Sequence, residues 1–368
     1  MEEKDHHFSV DLPEHFPEWP SHHPLATIEQ VELGRWLFYD RRLSRDGTRS
    51  CGICHEQAKA FSDGLSLSLG IDNTVLSLNS PSLANIAWRS ELTWNHQFSS
   101  VEEQILLPLF AVDPVEMGMT EELLLERIRE YQPYIDLFEQ AFPDEVQSIT
   151  IENTIHALSS FTRSIVSTQS KYDRWRMGDE ELTEEEEEGL RLFHSEELKC
   201  VLCHGGVFFD HPQFEEESIR HGYVNTGLYN IDGEGAYPIS AQGLIAQTGN
   251  PSDMGRFRVP TLRNLRQTYP WMHDGSEISL RNIILNYAAG GRVLESGSNQ
   301  GDGRNNPYKS EYISGFTISD AEIDALISFL YSLEDERLLE VDHLATPFCV
   351  EREGEVINEP CEANFEVE

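Results

Sequence analysis

The sequence predicts a mainly α-helical protein built from two related halves. Amphipathic segments that begin with helix-capping residues recur along the chain, whereas runs typical of β-strands are few and short. A helix-like segment followed by Cys-x-x-Cys-His occurs twice, with the motifs at residues 51–55 and 200–204. The length of 368 residues is enough for two domains of about 150 residues each. We therefore expect one domain around each motif.

The predicted helices of the first half follow from their caps. Thr27 and Gln30 form a capping box ahead of an apolar, helix-spaced segment. Thr120 is placed to cap a helix from Glu121 to Tyr131. Residues 150–177 carry apolar side chains at helical spacing and predict one long amphipathic stretch.

The second half has the same kind of signals. Thr183 with Glu186 and Ser319 with Glu322 form capping boxes, so a helix is expected after each. Two segments rich in Gly, Asn and Asp are expected to be long surface loops: residues 228–256 and 296–310.

Composition limits the classes of function. A formal net charge of -38 argues against binding to nucleic acid or to anionic membranes, because both would be repelled. We expect a solvated acidic surface, as in a protein from a salty habitat; a surface that binds a basic partner is the alternative. No run of about 18 apolar residues is present, so no membrane span is predicted. The first residues lack an apolar leader region, so an exported form would have had its signal peptide removed or left out.

Cys-x-x-Cys-His is the attachment motif of c-type haem, in which the two thiols bind the vinyl groups and the histidine ligates iron. Zinc would not need His directly after each cysteine pair, and a redox dithiol would need a βαβ setting that is not predicted here. Two copies therefore predict two covalent haems with His55 and His204 as the proximal ligands. The attaching cysteines are Cys51, Cys54, Cys200 and Cys203.

The other axial positions decide the function. An iron with two strong protein ligands transfers electrons, whereas a five-coordinate iron has room to bind and split peroxide. A peroxide-reactive protein of this kind therefore needs one closed haem and one open haem.

Several blocks resemble the bacterial di-haem cytochrome c peroxidase family, including its MauG-type members. They cover roughly residues 25–335 and are residues 33–44, Cys51–His55, 79–85, 114–118, Cys200–His204, 260–264 and 272–275. The resemblance implies two cytochrome c-like helical domains, each with one covalent c-type haem. It places the N-terminal haem domain at 25–178 and the C-terminal one at 179–340, after an extension at 1–24.

The resemblance implies that the haem on His55 reacts with peroxide. Glu116 matches the acid of the distal pocket, where a carboxyl can move a proton between the peroxide oxygens; a surface glutamate is the alternative. Gln104 and Pro108 match other positions of that pocket. The ordinary peroxidases block this iron with a histidine on the loop after the first motif, but residues 70–73 contain no histidine, which suggests an iron open at rest.

The second haem needs a sixth ligand. Counting from His273, the family position for Met or Tyr falls on Tyr287, on a helix that Ser279 can cap. A tyrosinate is a hard anionic donor, although an ordinary core tyrosine is the alternative. Met272 and Met254 are the fallback ligands, and His273 is expected to be a second-shell or propionate partner.

Two further sites follow from the resemblance alone. Trp94 matches the tryptophan that relays charge between the haems, with an ordinary core residue as the alternative. One Ca²⁺ is implied between the domains, bound by the Asn79 side chain and the carbonyls of Thr268 and Pro270.

The tail at 341–368 is acidic and holds Cys349 and Cys361, which we expect to form a disulfide in an oxidising compartment; two free thiols are the alternative. We expect a periplasmic location.

The C-terminal loops most resemble the methanobactin-associated MbnH-like enzymes. This resemblance implies that hydrogen peroxide, through a high-valent haem pair, oxidises a tryptophan of an exported copper-binding, MbnP-like partner. One alternative is a cytochrome c peroxidase that takes electrons from a small cytochrome or copper protein. A non-catalytic di-haem electron carrier is the other.

Overall fold

A computed structural model describes residues 7–21, 23, 26–95, 97–213, 222–350 and 356–360. Within these ranges the fold is mainly helical, as predicted. The α-helices are α1 (Ile28–Tyr39), α2 (Cys51–Cys54), α3 (Val101–Phe110), α4 (Glu121–Glu130), α5 (Gln132–Ala141), α6 (Ile151–Ser164), α7 (Lys171–Met177), α8 (Glu184–Phe193), α9 (Cys200–Cys203), α10 (Ile245–Thr248), α11 (Leu280–Ala288) and α12 (Asp320–Tyr331).

The strands are short and form antiparallel pairs. They are β1 (Tyr223–Val224) with β2 (Phe257–Arg258), β3 (Val293–Leu294) with β4 (Gly301–Asp302), and β5 (Phe348–Val350) with β6 (Val356–Pro360). In the first pair Tyr223 lies opposite Arg258 and Val224 opposite Phe257. These short pairs connect loops, and some of their side chains, such as Phe257 and Phe348, are buried in the hydrophobic clusters.

The predicted helix caps are confirmed. Thr27, Thr183 and Ser319 each form a capping box with the residue three positions later, and Thr120 and Ser279 cap α4 and α11. Each cap satisfies main-chain N–H groups that a helix start leaves without an intrahelical partner. The caps therefore fix where these helices begin.

The first core is built on the contact of α1 with α6. A Cβ added to Gly34 of α1 would lie only 1.9 Å from the carbonyl oxygen of Ala157 in α6. The absence of a side chain at Gly34 therefore allows the two backbones to touch. Leu33, Leu37 and Phe161 are buried in this cluster, which surrounds the contact.

The second core repeats this arrangement with α8 and α12. A Cβ on Gly189 would lie 2.0 Å from the carbonyl oxygen of Ala325, and Phe193 and Phe329 pack beside the contact. Gly34 and Gly189 occupy matching places in the two segments that precede the Cys-x-x-Cys-His motifs. The internal repeat in the sequence thus corresponds to a repeated helix pair.

Side chains near the predicted boundaries pack across them. Tyr172 of α7 belongs to the second core, whereas Leu338, Leu344 and Phe348 pack in the first core. The beginning of the acidic tail is therefore integrated into the fold, because its apolar side chains are buried there. Cys349 is disulfide-bonded; Cys361, its predicted partner, lies outside the described residues.

The structure corrects two predictions. The stretch 150–177 is two helices, because residues between α6 and α7 leave the helical path to bond elsewhere: the Ser167 N–H donates to Asn85 Oδ1 and the Thr168 N–H donates to Asp335 Oδ2. The segment 228–256 is not a surface loop. Leu228, Tyr229, Tyr237 and Ala241 are buried in a third cluster with Trp94, and only parts of the segment, such as residues 232–234 and Ile239, are exposed.

The described N-terminal segment runs along the surface of both cores. His15 Nε2 lies 3.0 Å from Asp173 Oδ1, and the Trp88 indole N–H donates to the Glu18 carbonyl over 3.0 Å. None of the helices in the described ranges is long and apolar enough to cross a membrane.

Candidate active site and cofactor sites

The first Cys-x-x-Cys-His segment forms the one-turn helix α2, with His55 directly after it. A Cβ on Gly52 would lie 2.3 Å from the Tyr39 ring, so this ring from α1 packs directly against the motif. His55 Nδ1 lies 2.9 Å from the carbonyl oxygen of Phe61. A proton on Nδ1 would be donated to this carbonyl, which leaves Nε2 as the nitrogen for a metal.

The second motif has the same construction. Helix α9 ends at Cys203, and His204 Nδ1 lies 3.1 Å from the carbonyl oxygen of Phe209. Lys199 begins the helix with a positive φ of 59°. Each motif histidine is therefore oriented by a carbonyl from the loop that follows it.

These features fit covalent haem. The four motif cysteines are free thiols and lie in pairs on one-turn helices. Burial raises the pKa of Cys51, Cys54 and Cys200 to about 12, so these thiols are protonated in the protein without its cofactors. Imidazoles whose other nitrogen bonds a carbonyl are typical of histidines that ligate metals.

A cavity of about 240 Å³ lies against the second motif. Its wall includes Cys200, Cys203 and His204, and Tyr287 of α11 also faces it. Apolar side chains such as Leu265 and Ile284 form much of the remaining wall. A mostly apolar cleft that contains thiols, an imidazole and a phenol suits a porphyrin with an iron at its centre.

Tyr287 lies on the cavity-facing side of α11, where Ser279 begins the helix. Burial raises the pKa of its phenol well above its usual value, and the Cys203 and Cys200 thiols add to the rise. The phenol is therefore neutral without a nearby cation, and a bound iron would favour its ionised form. This position agrees with the predicted ligand, and the role itself stays a prediction.

The alternative ligands of the second haem occupy other positions. Met254 and Met272 pack against the third cluster, and Met272 also contributes to the cavity wall. The His273 ring stacks on Phe257 with ring centroids 3.5 Å apart. Its buried Nε2 has no hydrogen-bond partner among the described residues, and burial lowers its pKa to about 4. Such an orphaned nitrogen fits a second-shell or propionate partner.

Two of the three residues predicted for the peroxide pocket lie on one helix, and the third lies on a segment that bonds to that helix. Gln104 and Pro108 lie one turn apart in α3, and the Met117 N–H donates to the Pro108 carbonyl over 2.9 Å, which sets Glu116 beside them. The pKa of Glu116 is raised to about 7 by burial. Its charge also adds to the pKa rise of the Cys51 and Cys54 thiols, so it lies near the first motif. Gln104 Oε1 is buried without a hydrogen-bond partner in the described ranges.

The loop after the first motif is held against this pocket. The Ile71 N–H donates to the Glu116 carbonyl over 2.8 Å, and a Cβ on Gly70 would lie 2.0 Å from the Val115 carbonyl. The contact leaves no room for a side chain at Gly70. Gly70 and Ile71 therefore pack beside residues 115–116, whereas Asp72 and Asn73 are exposed, and the four residues include no histidine that could reach an iron.

Trp94 and Asn79 connect the two halves. The buried Trp94 indole N–H donates to the Asn79 carbonyl over 2.9 Å, and the Asn79 N–H donates to the His273 carbonyl over 2.8 Å. Trp94 also forms part of the cavity wall at the second motif. This position agrees with a relay between two cofactors, a role that remains predicted.

The residues predicted to bind calcium lie near one another. Asn79, Thr268 and Pro270 all contribute to the cavity wall, and Asn79 Nδ2 donates to the Leu65 carbonyl over 2.8 Å. That bond turns the amide oxygen of Asn79 away from Leu65. No cluster of three His, Cys, Asp or Glu side chains in the described ranges could hold a metal, so such a site would depend on neutral oxygens.

Sequence reasoning missed the cationic side of the cavity. Arg89 pairs with Asp210 at 2.6 Å, and the Arg258 Nε donates to the Thr93 carbonyl at 3.0 Å. Burial lowers the pKa of Arg258 to about 10, and the charge of Arg89 contributes to this. Both arginines contribute to the cavity wall, where haem carboxylates would satisfy them. Isolated arginines in the sequence gave no signal for this arrangement.

Comparison with known proteins gives consistent matches. The family model described as di-haem cytochrome c peroxidase matches residues 28–181. Methylamine utilization protein MauG of Methylorubrum extorquens is 32% identical over 325 residues, which are 88% of this chain and 83% of that relative. Cytochrome c551 peroxidase of Nitrosomonas europaea is 30% identical over 257 residues, with coverage of 70% and 72%.

A solved structure is similar over nearly the whole molecule. It is described as a MauG-like protein associated with microbial copper homeostasis, and it is 39% identical with a TM-score of 0.88. The match covers 92% of this chain and 99% of the solved chain.

Proposed function

Because this chain belongs to the di-haem cytochrome c peroxidase and MauG family, and is therefore a peroxide-dependent di-haem oxidoreductase, we propose that it oxidises a partner protein at tryptophan. The partner is an exported copper-binding protein. The solved MauG-like relative is associated with microbial copper homeostasis, which supports a partner of this chemistry. The proposed setting is the periplasm.

Two haems are the proposed cofactors, one in each cytochrome c-like domain. Cys51, Cys54 and His55 would hold the first, while Cys200, Cys203 and His204 would hold the second. When bound, the haems supply peroxide reduction and retain the oxidising equivalents until the partner is oxidised. The proposed domains are residues 25–178 and 179–340.

Glu116 is the proposed proton-transfer residue. The residue after it bonds the Pro108 carbonyl, its charge acts on the thiols of the first motif, and its pKa of about 7 would allow it to accept and return a proton near neutral pH. The carboxyl is largely buried, and this burial is what raises its pKa. Gln104, whose buried amide oxygen has no hydrogen-bond partner among the described residues, would orient a small polar molecule.

Tyr287 and Trp94 are the remaining residues to which we assign a role. Tyr287 would give the second iron a phenolate ligand, and Trp94 would relay charge between the two cofactor sites. The oxygen atoms of Asn79, Thr268 and Pro270 would hold one Ca²⁺. The ion would thereby stabilise the contact between the two halves at Trp94, whose indole bonds the Asn79 carbonyl.

The observation that carries the proposal is the asymmetry between the sites. A tyrosine faces the second motif across a cavity, whereas the first motif faces a buried acid and no histidine from residues 70–73. An arrangement with one protected iron and one accessible iron suits peroxide activation.

The test uses the holoprotein with both haems attached. We expect the resting ferric protein to show one high-spin haem and one low-spin haem without methionine ligation. Mixed with peroxide and an exported copper-binding protein encoded beside it, the holoprotein should change the partner's mass at one tryptophan. Two low-spin haems, or an unchanged partner mass with rapid oxidation of a small cytochrome, would favour the electron-carrier or cytochrome c peroxidase alternatives.

A further inference from the structure

Three aromatic rings lead from the second motif to the surface. The Phe208 ring lies 5.3 Å from the Trp88 ring, and the Trp88 ring lies 5.3 Å from the Trp19 ring, measured between centroids. Phe208 is the neighbour of Phe209, whose carbonyl oxygen lies 3.1 Å from His204 Nδ1. Trp19 and Trp88 are both partly exposed. The three rings therefore form a continuous series that begins at the residue before Phe209, whose carbonyl orients a predicted iron ligand.

Hydrogen bonds fix the members of this path. The Thr261 hydroxyl donates to the Phe208 carbonyl over 2.6 Å, and the Trp88 indole N–H donates to the Glu18 carbonyl over 3.0 Å. The second bond also fastens the N-terminal segment, so Trp19 is held against Trp88 in an edge-to-face contact. A fixed geometry of this kind favours charge transfer, because the rings need no rearrangement.

We propose that Trp19 and Trp88 form the surface site through which a partner protein donates electrons to the second cofactor. This inference rests on the proposed function and names its entry point. In each relay step one electron leaves Trp88 toward the cofactor and is replaced through Trp19 by one from the partner. The indole N–H stays on Trp88, because its acceptor is a carbonyl oxygen and not a base. Two such steps supply the two electrons that reduce one peroxide, with two protons, to two waters.

A second aromatic route leaves the same motif but is electrostatically less favourable. The Phe209 ring lies 5.4 Å from Tyr172, which lies 5.5 Å from the partly exposed Trp175. The Arg176 guanidinium donates to the Tyr172 hydroxyl over 3.3 Å, and its positive charge opposes an oxidised ring there. Near Trp88, in contrast, the charge of Arg89 is neutralised by Asp210. Trp175 is therefore a matched control on the disfavoured route.

Charge around Trp19 indicates the kind of partner. Residues 7–21 contain no Lys or Arg, and three exposed acids lie in this segment: Asp11, Glu14 and Glu18. An acidic segment that leads to an aromatic pair attracts a basic surface and repels an acidic one. The partner should therefore present an oxidisable aromatic side chain on a positively charged face.

The first experiment treats the holoprotein with repeated small additions of peroxide and no donor, then maps oxidised tryptophans by peptide mass spectrometry. An oxidised tryptophan loses two electrons and gains one oxygen from water with release of two protons, so each event balances one peroxide. Oxygen should appear on Trp19 and Trp88 before Trp175. Earlier or heavier oxidation of Trp175 would overturn the route.

The second experiment measures oxidation of a synthetic lysine-rich peptide that contains one tryptophan. Trp88→Phe and Trp19→Phe should each lose most of the rate while the resting haem spectrum is unchanged, and Trp175→Phe should match wild type. Added salt should lower the wild-type rate. Trp19 is at the surface, so Trp19→Phe should fold. It therefore tests the proposal even if Trp88→Phe does not fold. Wild-type rates in both variants would refute the proposal.

The two experiments separate this inference from the proposed function. Oxidation of the protein's own tryptophans requires only turnover of peroxide. The map of oxidised tryptophans therefore still identifies the path of the electrons, even if the wild-type protein leaves the peptide unchanged. In that case tryptophan oxidation of a partner fails, while a map confined to Trp19 and Trp88 still supports the path.

Discussion

The main-chain N–H of Met117 donates to the carbonyl oxygen of Pro108 over 2.9 Å, and this bond sets Glu116 against helix α3. Burial in that position raises the pKa of Glu116 to about 7. Half of the molecules near neutral pH therefore carry a carboxylate there. A residue that must first accept a proton is active in this ionised form.

We predict that the rate of the reaction with peroxide rises as pH increases through about 7 in the wild-type protein. Glu116→Gln keeps the shape but cannot accept a proton, so it should lower this rate by about 10²–10⁴-fold and remove the pH dependence near 7. Stopped-flow mixing of the ferric holoprotein with peroxide measures both effects. Glu121→Gln, at an exposed position in α4, is the control. An unchanged pH profile in Glu116→Gln would eliminate the proposed role.

The raised pKa of Glu116 also predicts a dependence of stability on pH. The folded pKa of Glu116, about 7, lies above the unfolded value, so the folded state binds the extra proton between about pH 4.3 and 7. The free energy of unfolding should therefore decrease by up to about 3 kcal/mol as pH rises across this window. Glu116→Gln should remove this part of the decrease. Denaturant unfolding at pH 5 and pH 8 measures the difference; equal slopes in the two proteins would contradict it.

Tyr287→Phe tests the sixth ligand of the second iron. The change removes only the hydroxyl from a side chain in the cavity wall, so the fold should persist. We expect loss of the low-spin, non-methionine signal in the resting spectrum, because a phenyl ring cannot bind iron. Tyr312→Phe, on the same cavity wall, should keep the wild-type spectrum. An unaltered spectrum in Tyr287→Phe would mean that another residue ligates this iron.

The buried Asp173–Arg263 pair predicts a large effect on stability. Both side chains are fully buried and joined by two hydrogen bonds of 2.8 Å. Burial alone would raise the pKa of Asp173, but its hydrogen bonds and the charge of Arg263 lower it to about 2. Asp173→Asn leaves a buried, unpaired arginine and should lower the free energy of unfolding by about 3–5 kcal/mol.

Denaturant unfolding checks this effect, with Glu188→Gln as the control because the Glu188–Arg191 pair is exposed and should leave stability unchanged. The sign of the pH dependence follows from the lowered pKa of Asp173. Its contribution is complete above the unfolded value and is lost as pH falls toward about 2. Asp173→Asn should therefore lose less stability on acidification than wild type does. Equal losses would contradict the pairing.

Local signals account for what the sequence predicted correctly. The capping boxes at Thr27, Thr183 and Ser319 involve residues three positions apart, so they are visible in the sequence and confirmed in the structure. The cysteine motifs are equally local. The break between α6 and α7 was missed because apolar spacing continues through Ile165, while the bonds that interrupt the helix come from Asn85 and Asp335.

Contacts between residues that are far apart in the sequence are also the part of the candidate site that could not be predicted. The sequence contains no sign that Arg258 and Arg89 meet at one cavity, or that Trp19 packs on Trp88. Glu116 and Tyr287 were identified through resemblance to a family and not through their own spacing. Their positions in the structure agree with that resemblance, whereas their roles remain predictions.

The last prediction concerns the two glycines at the matching helix contacts. A methyl group at Gly34 would overlap the Ala157 carbonyl, and one at Gly189 would overlap the Ala325 carbonyl. Neither glycine has a positive φ, so an alanine is compatible with the local backbone and the cost is steric. Gly34→Ala and Gly189→Ala should each lower the free energy of unfolding by about 1–3 kcal/mol or more, because the helices must separate.

Gly47→Ala is the comparison, since its Cβ would meet no neighbour but its φ of +73° makes alanine unfavourable by about 1–2 kcal/mol. The costs of Gly34→Ala and Gly189→Ala should add in the double variant, because the two contacts share no residue. Thermal and denaturant unfolding of the four variants measures these costs. If Gly34→Ala lowers stability and Gly189→Ala does not, the second helix pair tolerates separation. The two halves would then share a sequence pattern but not the tight helix packing.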